Sequence, residues 1–244
     1  MRTANPALNE QIFTAIPYYG ENAMTVSGTV NKTAGLLAVC IAAAAWTWRI
    51  ALTRPEAAFP WIIGGAVGGL IVAFVTIAKK NLAPFTGPLY AGLEGLALGA
   101  ISSLFEQQFR GIVFSAVALT FGVLAVMLVA YRTGLVRATE RFKAGVVSAT
   151  GAIFLIYLVS FILGFFNIHV PMIHSGGMFG ILFSLFVVVI AALNLVLDFD
   201  FIENGAASGA PKYMEWYGAF GLMVTLVWLY LEILRLLAKL QRRR

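Results

Sequence analysis

The sequence has almost no cysteine. Cys40 is the single one, so no disulfide can form within the chain and cysteine clusters for metal or redox chemistry are excluded. Histidine is nearly as scarce: His169 and His174 lie five residues apart, which fits neither an i, i+4 helical metal pair nor a sufficient ligand set, and this argues against a zinc centre. Charge is sparse as well. Lys and Arg number 17 and Asp and Glu 11 among 244 residues, 11% of the chain, where a soluble domain carries about 25%. A water-soluble domain is therefore excluded. Segments of about ten residues that alternate apolar and polar are missing too, which argues with the 24 glycines against an outer-membrane β-barrel. There is no phosphate-binding glycine loop and no HExxH pair, so nothing points to an enzyme.

What the sequence does have is long uncharged apolar runs. Hydrophobic residues make up 60% of it, and positions 57–78, 111–131 and 144–197 contain no acid, lysine or arginine. A helix that crosses a bilayer needs about 20 predominantly apolar residues, and apart from closed barrels only helices satisfy every backbone polar group in lipid. The chain therefore reads as an all-α, polytopic membrane protein with seven transmembrane helices. The expected spans are 33–48, 59–78, 89–105, 112–131, two within 144–197 separated by the break Phe166–Gly177, and 213–237. Residues 1–30 lack an apolar stretch of signal-peptide length and read as a retained polar tail ahead of a seven-helix domain over 31–244. Gly64, Gly65, Gly68 and Gly69 give the second span a small-residue face that a neighbouring backbone can approach.

Seven crossings put the termini on opposite sides, so the basic residues can be counted by side. Nine fall on the N-terminal side: Arg2, Lys32, Lys79, Lys80, Arg132, Arg137, Arg141, Lys143 and Lys212. Eight fall on the other, five of them in the stretch from Arg235 to Arg244. Several short loops agree, whereas the tail after the last span is one contribution, so the N-terminus is expected in the cytoplasm. A seventh span that enters and returns is the alternative. The basic C-terminus invites a nucleic-acid reading, but basic flanks orient spans and hold anionic lipid heads, so membrane lipids are the expected partner and nucleic acid is not.

Acidic side chains inside apolar runs carry more information, because a carboxylate at bilayer depth is costly and persists where it lines a polar pathway or has a partner. Glu94, Asp198 and Glu232 stand out. Asp200 and Glu203 are secondary candidates near the end of the sixth span, and Glu106 and Glu215 read as interfacial residues that reach water. With the spans as drawn, Glu94 and Asp198 lie about 8 Å inside the same face at 1.5 Å per residue. Oxygen ligands suit a hard ion such as calcium, and the same groups can relay protons. Arg235, three residues after Glu232 on one helical face, is its candidate partner.

The segments RTANPAL, MTVSGTVNKTAGLL, LEGLALGAIS, LDFDFIENGA and EWYGAFGLMVTLVWLYLEILRLLA resemble the bacterial branch of the Bax-inhibitor-like family, also called the transmembrane Bax inhibitor motif family, in order and over nearly the whole chain. The resemblance implies seven helices with the last central and surrounded by the other six, a bacterial inner-membrane location, and a pH-sensitive calcium leak with no cofactor besides the transported ion. It also implies a proton-sensitive carboxylate pair on the sixth and seventh helices, latched by an arginine of the second. Asp198 in LVLDFDFI and Glu232 in LYLEIL take those positions and become the calcium-binding candidates, with Glu in place of the second Asp. No arginine occurs within the second span, so the latch does not carry over, and the linker between the sixth and seventh spans is longer. Two function classes follow: a calcium or cation leak channel, or a regulatory binding protein for another membrane protein such as a membrane-anchored protease.

The loop from Arg132 to Lys143 holds four basic residues, Arg132, Arg137, Arg141 and Lys143, and is expected to be cytoplasmic. A Thr133→Cys variant lacking Cys40 should resist an impermeant thiol reagent in intact cells and react after permeabilisation. Labelling from outside would reverse the orientation.

Overall fold

A computed structural model of the protein describes residues 22–166 and 177–243. Seven helices follow one another: α1 (Val26–Thr53), α2 (Ala58–Ala78), α3 (Ala83–Gln108), α4 (Ile112–Arg132), α5 (Glu140–Phe165), α6 (Met178–Ala207) and α7 (Met214–Gln241). All seven are long and apolar enough to cross a membrane. The only β-pairing among the described residues is one isolated antiparallel bridge between Ala23 and Pro211. His169 and His174 lie outside the described residues.

Three of the boundaries that differ from the sequence reading do so for a clear local reason. α1 starts at Val26, inside the segment 1–30 read as tail, because the Thr25 hydroxyl accepts the Gly28 N–H at 3.0 Å and caps it. Thr29 and Thr33 then donate their hydroxyls to the carbonyls four residues back, at 3.0 and 2.9 Å, so polar residues are satisfied inside the helix. α3 starts at Ala83 rather than near 89, since Pro84 in the first turn gives up only an N–H that has no helical partner. α6 runs on to Ala207, so part of the linker between the sixth and seventh spans is helical. The rest is held rather than flexible: Gly209 turns the chain at φ 66, Met24 N–H bonds the Ala210 carbonyl at 2.7 Å, and Lys212 N–H bonds that of Asn22 at 2.9 Å.

The chain divides into two compact units. In one, which holds residues up to Arg110 and Asp198–Val224, α1 and α2 both pack on α3. Glycine makes this approach possible: a Cβ on Gly65 would meet the Leu93 carbonyl of α3 at 2.5 Å, and Cβ atoms on Gly95 or Gly99 would collide with the Cys40 or Ala44 carbonyl of α1. The expected small-residue face of α2 is thus used at Gly65, Gly68 and Gly69, while Gly64 faces open space. The other unit holds Gly111–Leu197 and Thr225–Arg244, and there Ile153 of α5 packs with Val187 and Ile190 of α6 and with Trp228 of α7. Enclosure varies widely, from 11% of the most apolar window in α5 to 61% in α7. The large apolar side chains left exposed on α2, α4 and α5, such as Phe74, Phe114 and Phe161, are the surface offered to acyl chains.

Gly99→Val should destabilise the protein by about 2–3 kcal/mol through overpacking against α1, whereas Gly64→Ala should be neutral or better. Thermal unfolding in detergent, followed by tryptophan fluorescence, separates the two, and equal midpoints would mean the α1–α3 contact is looser than described.

Candidate functional site

Residues seven apart return to the same face of a helix after two turns. Three helices of the second unit carry polar residues at that spacing: Lys143, Thr150 and Tyr157 on α5, and Thr225, Glu232 and Lys239 on α7, with Ser184 and Asn194 on α6 joined by the buried positions Val187 and Ala191 of the same stripe. The stripes face each other. Asn194 Nδ2 donates to Thr150 Oγ1 at 2.9 Å, tying α6 to α5. Tyr157 Oη donates to Glu232 Oε1 at 2.9 Å, tying α5 to α7. Lys239 Nζ donates to Ser184 Oγ at 2.8 Å and to the Gly180 carbonyl at 3.0 Å, tying α7 to α6. Each pair of the three helices is thereby joined by polar contacts.

Glu232 is the centre of this seam and is 2% exposed. Arg235 Nη1 reaches Glu232 Oε1 at 2.8 Å and Tyr157 Oη at 2.9 Å, and its guanidinium carbon stands 5.2 Å from the centre of the Tyr157 ring. The three groups close a cycle: Arg235 donates to both partners, and Tyr157 accepts from the arginine while donating to the carboxylate. All of it falls on Oε1. Oε2 is buried and accepts no hydrogen bond, which is expensive for a carboxylate oxygen away from water. A cation or a proton is the kind of group that would relieve it.

The other acidic candidates belong to the first unit. Glu94, eleven residues into α3, is about 16 Å from the start of its helix, deeper than the 8 Å expected, because α3 begins earlier than the sequence suggested. Its carboxylate lies against Gly69 of α2, where an added Cβ would stand 2.6 Å from Oε1. Asp198 is fully buried and lies nine residues before the end of α6, about 13 Å in, deeper than expected because α6 runs on to Ala207. Asp200 is half-buried and Glu203 exposed. Among the described residues no three or more His, Cys, Asp or Glu gather in a group that could hold a metal ion, so a cation at one of these carboxylates would draw its other ligands from hydroxyls, carbonyls or water.

Several polar residues with structural roles escaped the sequence reading. Glu215, read as interfacial, is completely buried at the start of α7 and gathers a polar cluster. It accepts from the Thr25 N–H at 2.9 Å, the Thr25 hydroxyl at 2.8 Å and the Lys212 ammonium at 3.0 Å, and it pairs with Lys32. Gly28 leaves room for it, since any Cβ there would overlap the carboxylate. Lys143, counted with a loop, is in the first turn of α5 and 2% exposed, 3.5 Å from Glu140. Tyr157, Thr150 and Asn194 were missed because a hydroxyl or an amide in an apolar run is ordinarily satisfied within its own helix, and Lys239 was counted only with the basic C-terminal flank.

Seven apolar helices, with the buried Glu215 of α7 paired to Lys32 of α1, define a multi-pass membrane protein. The chain matches the Bax inhibitor 1 like family over residues 5–242 and belongs to that family. No curated protein and no solved structure matches it.

Removing Glu215 strands two ammonium groups and the Thr25 N–H that caps the junction of α1 with α7. Glu215→Ala should lower stability by about 2–3 kcal/mol, the scale of hydrogen bonds to a charged group, read as an earlier unfolding midpoint in detergent. A midpoint equal to that of the parent would mean the cluster contributes nothing net.

Proposed function

We propose that the protein is a pH-sensitive calcium, or more generally cation, leak channel of the bacterial inner membrane, whose pathway uses the intramembrane carboxylates Glu94, Asp198 and Glu232. The observation that carries this reading is Glu232, buried in a polar seam among α5, α6 and α7 with one carboxylate oxygen bonded and the other not. Calcium here is cargo, and a transported ion needs a seat weak enough to leave, which one carboxylate with hydroxyl neighbours provides better than a closed cage. Asp198, fully buried in α6, is the candidate proton-sensitive group by the family resemblance. The N-terminus is placed in the cytoplasm on the distribution of basic loops.

The expected result is calcium entry into dye-loaded liposomes above the rate of protein-free controls, rising with protein density. Glu232→Gln keeps the shape and removes the charge, and should cut that rate about tenfold, the scale of one hydrogen bond or ion contact to a charged group. Asp198→Asn should flatten the dependence of flux on pH. A pH profile unaffected by that change moves the sensor to another residue, and liposomes that stay dark at every protein density favour the regulatory partner of a membrane protease instead.

A further inference from the structure

Lys239 is a cation held where electrostatics opposes it. The residue is 5% exposed, and its ammonium touches the first turns of α6 through Gly180 and Ser184, which is the positive end of that helix's dipole. Neither partner is an anion, and among the described residues no carboxylate forms an ion pair with it. The nearest candidate, Glu232, lies two turns back on the same face of α7, about 10 Å along the axis, and already pairs with Arg235. Both Glu232 and Arg235 are within electrostatic reach of Lys239. Tying α7 to α6 needs only a hydrogen-bond donor, which a glutamine could supply. What lysine adds is a fixed positive charge at the C-terminal end of the seam that contains Glu232.

We propose that Lys239 is a specificity-determining residue for that seam, an electrostatic barrier that slows divalent cations on their way to Glu232 more than monovalent ones. The inference rests on the leak-channel reading. A fixed charge repels an ion in proportion to the ion's own charge. Whatever factor the barrier costs a monovalent ion, it therefore costs a divalent ion the square of that factor. In this way a pathway built on a carboxylate, which would favour calcium, is held to a slow leak.

The test uses full-length protein in liposomes carrying a calcium dye or, in parallel, a sodium dye. For Lys239→Gln, a sodium rate raised about threefold should come with a calcium rate raised about tenfold, as charge scaling requires. Lys239→Arg keeps the charge and should restore the calcium-to-sodium ratio of the parent. Should the glutamine variant fail to elute as a folded species in gel filtration, Lys239→Met, which keeps the length without the charge, gives the same comparison. A parent that conducts together with an uncharged variant of unchanged ratio overturns the barrier and leaves the leak reading standing, because a merely structural tie would alter both rates alike. An uncharged variant that conducts where the parent is silent supports the barrier. Silence from both overturns the leak reading and the barrier with it.

Discussion

Hydrocarbon cannot solvate a charge, and this constraint organises the molecule. In water an isolated glutamate costs nothing, whereas at bilayer depth it costs several kcal/mol unless the protein supplies a partner. Glu232 meets that demand at Oε1 by drawing a hydroxyl from α5 and a guanidinium from its own helix. The partners in turn fix the positions of their helices. Lys239 and Asn194 repeat the pattern further along, so the buried polar groups of this unit act as pins between helices that share no hydrophobic drive to associate, since lipid is as apolar as leucine.

The other unit associates its helices by a different means. There α1 and α2 close on α3 through glycines, and backbone carbonyls sit where side chains would ordinarily hold the helices apart. Close approach multiplies dispersion contacts, each small and the sum large. The polar work is concentrated at one end, where Glu215 gathers Thr25, Lys32 and Lys212. Glu94 is the exception, a carboxylate admitted into the glycine-lined contact only because Gly69 has no side chain.

The number and order of helices were legible in the sequence because hydropathy in a membrane protein is read over some twenty residues at a time, which averages out local ambiguity. Helix ends were less legible. Thr25 and Thr29 look like tail residues until one sees that their hydroxyls bond backbone groups of a helix. Of the site, Glu232 and Arg235 could be read together because they lie three apart on one helix. Tyr157 could not be joined to them, being 75 residues from Glu232 in the chain. Glu215 was misread because its depth was judged by distance from a helix end, while its burial is produced by α1 folding over it.

The same geometry bears on the glutamate that stands where the family resemblance led to an aspartate. An aspartate at 232 would carry its carboxylate on a stem one methylene shorter, which disfavours simultaneous contact with a residue three positions on and with a neighbouring helix. Glutamate spans both, since Glu232 Oε1 lies 2.8 Å from Arg235 and 2.9 Å from Tyr157. The second helix, Ala58–Ala78, contains no arginine. In this chain the arginine that accompanies the seventh-helix carboxylate is therefore carried by the seventh helix itself, and a longer acid together with an arginine at i+3 forms one self-contained arrangement. Burial of Glu232 Oε1 is thus compensated within a single turn of α7 and by one hydroxyl from α5, while Oε2 is left for another group to satisfy.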